Sequence, residues 1–217
     1  MDTMVCTVER IIMNEPNWVD FGQLIFSFAT LYIAYKALST WKKELVGKKK
    51  INLAMEIVEK VCTIEDLVTA IRCPISTVAE QDEVLQDIKK EYDKGEQPTI
   101  HKDRLYYLVP RYRVIKNWNI IEDFISLKNK ARLYWNDDVI CLFDKVSHVF
   151  AEIRISSTIL YTGIKEQKTI EDLEKKIWEY PEKDPIKKYM HNIVEEFIMN
   201  LEPLYSQQKD KWIKKEK

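Results

Sequence analysis

From Phe21 to Tyr35 the chain reads FGQLIFSFATLYIAY, without a charge. An apolar helical run of this kind is covered either by a packed bundle or by lipid. Trp18 stands before it, and Trp41, Lys42 and Lys43 stand after it. A helix over this stretch would rise roughly 36 Å at about 1.5 Å per residue, enough for a bilayer core of about 30 Å with its interfaces. Asp20 and Lys36 must then lie near the two interfaces, where Lys36 can snorkel more easily than Asp20. Gln23 and Ser27 dilute the hydrophobicity. The expectation is a transmembrane helix over residues 18–41. The alternative is that residues 21–35 form a core helix of a soluble bundle.

Charge placement orients the stretch. On its N-terminal side lie Arg10 and the acids Asp2, Glu9, Glu15 and Asp20. On its C-terminal side come Lys36, Lys42, Lys43, Lys48, Lys49 and Lys50. The positive-inside rule puts the C-terminal body in the cytoplasm and residues 1–17 outside. The lysines also favour anionic headgroups. The membrane-interface set expected from this is Trp18, Trp41, Lys42, Lys43, Lys48, Lys49 and Lys50. Residues 2–13 carry Met4, Val5, Val8, Ile11 and Ile12 at helical spacing, without the basic start and small-residue cleavage site of a signal peptide. A turn at Asn14–Asn17 ends them.

Glycine is scarce, at four residues. Phosphate-cradling loops and tight β-turns depend on glycine, so its scarcity argues for an all-α chain. The formal charge of −1 makes no global case for a nucleic-acid partner. The four cysteines form no C-x-x-C pair, which excludes the usual zinc patterns and gives no disulfide framework.

Apolar spacing of three and four recurs along the body. Lys48 to Cys73 carries Ala54, Ile57, Val58, Val61, Ile64, Val68 and Ile71, and Pro74 stops it. Thr77-x-x-Glu80 resembles a capping box and starts a polar helix through about Tyr92. Residues 95–98 read as a loop. A long helical pattern follows from about Lys102 to Trp135, with Pro110 expected to kink it. Another runs from Asp138 to Thr162, where Gly163 is a natural C-cap. Thr169-x-x-Asp172 reads as a short helix start. Asp184-Pro185 reads as an N-cap with proline at the first helical position, opening a helix with Ile186, Tyr189, Met190, Ile193, Val194, Phe197, Ile198 and Leu201 on one face. Pro203 should perturb that helix, and the tail after Tyr205 should fray.

No segment shows sustained period-two alternation. The expected architecture is an N-terminal transmembrane helix followed by an antiparallel bundle of about four long helices plus short ones. Its divisions are 1–17 outside, 18–41 in the membrane, 42–205 as a cytosolic bundle and 206–217 as a basic tail.

Catalytic chemistry has little support. Asp144, His148 and Glu152 line one helical face, but off the apolar stripe, as a surface ion-pair ladder would. His191 and Glu195 make a similar pair. The Glu-x-x-His motif of di-metal bundles is absent, because Lys145 and Lys188 stand three residues before His148 and His191. Ser156-Ser157-Thr158 lies in a helical pattern without a nucleophile elbow. No cofactor or metal is implied. Arg111, Arg113, Lys116 and Arg132, among aromatics such as Tyr112 and Trp118, form a candidate ligand or nucleic-acid surface. Arg72, beside the apolar face of its helix, is expected to pair with an acid such as Glu80 or with carbonyls at the helix end.

The run Tyr35-x-Ala37-Leu38-x-Thr40-Trp41-Lys42-Lys43-x-Leu45-x-Gly47-Lys48, followed by Ala54, Asp66, Arg72 and Pro74, resembles a pattern of bacterial membrane proteins without assigned function. The resemblance covers about residues 18–80. It implies one N-terminal span, a helical cytosolic body and a bacterial inner-membrane setting, and it brings no activity or catalytic residues. The functional expectation is a non-enzymatic, membrane-anchored interaction or sensing module with anionic lipids and a protein partner, or a second copy, as its contacts. Alternatives are a membrane effector in stress or phage defence whose span oligomerises, and a soluble helical enzyme or nucleic-acid binder.

Overall fold

The computed structural model describes the backbone of residues 18–92, 101–163, 166–180 and 184–213, with side chains described within 22–90, 101–163, 166–180 and 184–201. The segment expected at 2–13, the turn at 14–17, the loop at 95–98 and the side chains of Trp18 and Asp20 lie outside the described residues.

Among the described residues the chain is an all-α helical bundle, with seven α-helices, one 3-10 segment and no strand. The helices are α1 (Trp18–Arg72), α2 (Val78–Tyr92), α3 (Val109–Lys116), α4 (Trp118–Ala131), α5 (Asp137–Thr162), α6 (Gln167–Ile177) and α7 (Pro185–Ile213). The 3-10 segment is Lys102–Leu108. Two compact units divide the chain, Met1–Lys49 and Lys50–Lys217.

In the first unit the described residues are all helical and, apart from Ser39 and Gly47, exposed. Among the described residues no helix is long and apolar enough to cross a membrane. The transmembrane helix expected over 18–41 is therefore not supported. The physical reason lies in the residues themselves. Gln23, Ser27, Thr30, Ser39 and Thr40 interrupt the apolar run, and Lys36 stands within it. Gly47 lies within α1.

The second unit holds two apolar cores. Ala54, Ile57, Val61, Ile64, Val68 and Ile71 recur at alternating steps of three and four, so one stripe of α1 is buried. They join α4, α5 and α7 in the main core, where Phe124 stacks on Phe143 at 4.9 Å and Phe197 meets Phe143 edge-on at 5.1 Å. The second core gathers Val84 and Ile88 of α2, Leu105 and Leu108 of the 3-10 segment, Val109, Leu160, Ile177 and Trp178. Helix α5 touches α3, α4, α6, α7 and the 3-10 segment, and therefore positions all of them.

Local chemistry fixes most boundaries. The Glu80 amide donates to the Thr77 hydroxyl at 3.2 Å, as the capping pattern requires. The Glu80 carboxylate does not complete the box, because Arg113 takes it. Asp184 accepts from the Lys187 amide at 2.9 Å and Pro185 opens α7. Gly163 ends α5 with φ 94°, a region that suits glycine. The pattern from 102 to 135 is three pieces rather than one kinked helix. Pro110 sits in the first turn of α3, where its missing N–H costs nothing, and the backbone breaks again at Asn117. Helix α6 begins at Gln167, two residues ahead of Thr169, whose hydroxyl donates to the Glu166 carboxylate at 2.9 Å. Helix α7 runs through Pro203 to Ile213, so among the described residues the expected perturbation at Pro203 and fraying after Tyr205 are not seen.

Candidate functional site

The arginines expected to matter are embedded in local architecture. Arg72 is 1% exposed. Its guanidinium donates to Asp184 at 2.9 Å and to the carbonyls of Lys175, Lys176 and Trp178 at 2.9, 3.0 and 2.6 Å. The carbonyls belong to the end of α6 rather than to Arg72's own helix, and the acid is Asp184 rather than Glu80. Arg113 instead binds Glu80 at 2.6 Å and the carbonyls of Ile71, Cys73 and Ile75 at 3.1, 2.6 and 2.7 Å. It therefore clamps the connection between α1 and α2.

The other members of the expected ligand surface serve other local roles. Lys116 pairs with Glu83 at 3.1 Å and lies over the Tyr112 ring, while the Tyr112 hydroxyl donates to Glu83 at 2.6 Å. These hydrogen bonds, Tyr112 first and Lys116 second, hold the Glu83 carboxyl below its usual range. Arg111 lines a groove between α3 and α5, and Arg132 is exposed at the end of α4.

The acidic and histidine stripe on α5 is a ladder to neighbouring helices. Asp144 pairs with Lys128, His148 lies 3.8 Å from Glu152, and Glu152 binds Lys176 at 3.1 Å. His191 faces Glu65 of α1 at 3.1 Å rather than Glu195. Among the described residues no group of three or more His, Cys, Asp or Glu could hold a metal ion. Ser156 and Ser157 are buried in α5, and the Ser157 hydroxyl has no hydrogen-bond partner among the described residues. Among the described residues no base is hydrogen-bonded to it, as an activated nucleophile requires. Near the second core, burial first and a 2.6 Å bond to Glu174 next push the Tyr107 phenol well above its ordinary value.

What the chain does present is apolar surface on α1. Phe26 is 74% exposed, Tyr35 73% and Leu31 66%, and Leu24, Ile25, Phe28, Tyr32, Ile33 and Leu38 are comparably open. They belong to neither core. The hydroxyls between them are turned onto the helix itself. Ser27 donates to the Gln23 carbonyl and Thr30 to the Phe26 carbonyl, both at 2.8 Å, and Ser39 and Thr40 donate to the Lys36 carbonyl. Such back-bonding lowers the polarity that a hydroxyl shows its surroundings. Beyond this stretch Trp41, Lys42, Lys43, Lys48 and Lys49 are exposed. Lys50 is half-buried, its ammonium 5.4 Å from the Trp135 ring centre.

Comparison with protein-family models, with curated proteins and with solved structures returned no match.

Sequence reasoning located the apolar stretch and its lysines. It missed the Arg113 clamp, since nothing in the spacing of Arg113 and Glu80 announces a contact across the intervening chain. It also missed a groove beside Arg154, whose signal is only an arginine and an indole brought together by the break at Asn117.

Proposed function

We propose that the protein is a non-enzymatic helical module that works at a membrane through the N-terminal part of α1 and offers its bundle to a protein partner or a ligand. The observation that carries this reading is the band of exposed large apolar side chains from Leu24 to Leu38. Covering such side chains stabilises by about 1.5–3 kcal/mol each when burial is complete. Something must therefore cover them in the working state.

The band has an internal order. Gln23, Ser27, Thr30, Ala34 and Ala37 follow steps of four and three and share one face; Leu24, Phe28, Leu31, Tyr35 and Leu38 do the same on another. A single helix is too polar to cross lipid alone. Copies packed along the small and polar face would hide it and turn the large apolar face to lipid. The lysines from Lys42 to Lys50 would then lie at the anionic cytoplasmic surface. The membrane-effector reading is favoured by the same face and differs in requiring that assembly follow a signal.

Fractionation of cells expressing the full-length chain tests the proposal. Sedimentation with membranes, resistance to high salt and release by detergent are expected. Recovery in the soluble fraction without detergent would overturn it.

A further inference from the structure

A groove of about 200 Å³ lies between α2 and α3. Its floor is Val84 and Ile88 of α2 and Leu108 at the end of the 3-10 segment, all three buried members of the second core. Tyr112 and Ile115 of α3 wall it. Ile115 is 46% exposed and belongs to neither core. The groove therefore leads from an open apolar side chain down to the packed interior of the second core.

The polar groups around it are already answered within the chain. Asp87 pairs with Lys90 at 3.5 Å, and Arg111 is engaged as well. The Tyr112 hydroxyl donates to Glu83, and Lys116 lies over the Tyr112 ring. A charged ligand would lose water here and meet no unmatched opposite charge in return. The floor side chains offer water no hydrogen bond, which favours an apolar occupant. Such an occupant covers Ile115 and leaves every rim pair intact.

Size narrows the class. The volume is below the roughly 300–1,000 Å³ of drug-sized sites. It exceeds the about 150 Å³ of an apolar cavity that takes benzene. Valine, isoleucine and leucine make the apolar lining, and the one aromatic wall already has an ammonium over its ring. We propose that this groove binds a small neutral aliphatic molecule of roughly six to eight carbons. Its chain lies on Val84, Ile88 and Leu108 against Ile115, and a polar end stays at the rim beside Asp87 and Lys90. The inference goes beyond the membrane reading and does not depend on what covers α1.

Methyl correlation spectra of the full-length chain with labelled isoleucines, in detergent if it is recovered that way, test it with 1-butanol, 1-hexanol and hexanoate as probes. 1-Hexanol should shift the Ile88 and Ile115 methyl signals saturably and leave that of Ile193, in the main core, in place. Two further buried methylenes should make 1-hexanol bind about tenfold more tightly than 1-butanol at equal free concentration. Hexanoate should bind more weakly than 1-hexanol. Ile115→Ser, read at the Ile88 methyl, should weaken 1-hexanol about threefold or more. Ile155→Ser, at an equally open isoleucine on α5, should leave it unchanged. Circular dichroism establishes that each variant is folded. Absence of saturable shifts at Ile88 and Ile115, equal affinity for the two alcohols, or an Ile115→Ser loss no larger than that of Ile155→Ser would overturn the proposal. Hexanoate binding as tightly as 1-hexanol would overturn its neutral half.

Discussion

The Arg72 guanidinium lies 2.8 Å from the Asp184 carboxylate, and their side chains are 1% and 3% exposed. The pair fastens the end of α1 to the junction between α6 and α7, because Arg72 also takes three carbonyls from residues 175–178 and its own carbonyl accepts from the Glu179 amide at 2.9 Å. Removing one partner of a buried pair leaves an uncompensated charge. Arg72→Ala should therefore cost about 3–5 kcal/mol in urea unfolding, seen as a lower midpoint. Replacing both, as in Arg72→Met with Asp184→Asn, should cost less than the sum of the single changes. A loss below about 1 kcal/mol for Arg72→Ala would contradict the assignment, since even one ordinary hydrogen bond contributes that much.

Two glycines should respond in opposite senses. Gly47 lies inside α1, and a methyl group there meets nothing within 4 Å. Gly47→Ala should stabilise the helix by roughly 0.5–1 kcal/mol. Gly163 has φ +94°, and a methyl group there would meet the Arg104 guanidinium. Gly163→Ala should destabilise by about 1 kcal/mol or more. Thermal melts followed by circular dichroism separate the two.

Tyr107 gives the chain an alkaline dependence. Burial and the bond to Glu174 raise its phenol in the folded state. Its contribution is then complete below the ordinary tyrosine value of about 10 and is lost as pH rises above it. Tyr107→Phe should cost about 1 kcal/mol at neutral pH through the lost hydrogen bond. The gap to the native chain should narrow above about pH 10. Denaturant midpoints measured from neutral to alkaline pH check this; a constant gap would refute the coupling.

The Ser157 hydroxyl is buried without a partner among the described residues. Leaving such a group unsatisfied costs about 1–3 kcal/mol, so Ser157→Ala should be neutral or stabilising by up to about that amount. A clear loss of stability in urea unfolding would show that the hydroxyl has a role of its own.

Helix class and most helix ends were legible because they depend on neighbours in sequence. Pro74, Thr77, Gly163 and the Asp184-Pro185 pair each act within a turn of their own position. The division of residues 102–135 was not legible. Pro110 is compatible with a kink or a helix start, and the second core, into which Leu105, Leu108 and Val109 fold, decides between them. Arg72 could be singled out because a cation beside an apolar stripe needs a partner. The partner could not be named, since Asp184 and the α6 carbonyls reach it only through the tertiary fold. On α1 the apolar run is plain in the sequence, but the described residues do not support a span. Periodicity counts apolar positions, whereas crossing a bilayer depends on the total polarity that Gln23, Ser27, Thr30 and Lys36 add.

The association of α1 with lipid is tested most directly by flotation of the full-length protein with vesicles containing phosphatidylserine. The native chain should float with the vesicles, and Phe28→Glu with Leu31→Glu, which charges the large apolar face while leaving both cores intact, should leave the protein at the bottom of the gradient. A native chain that stays at the bottom, or a double variant that floats as well as the native chain, would contradict the account.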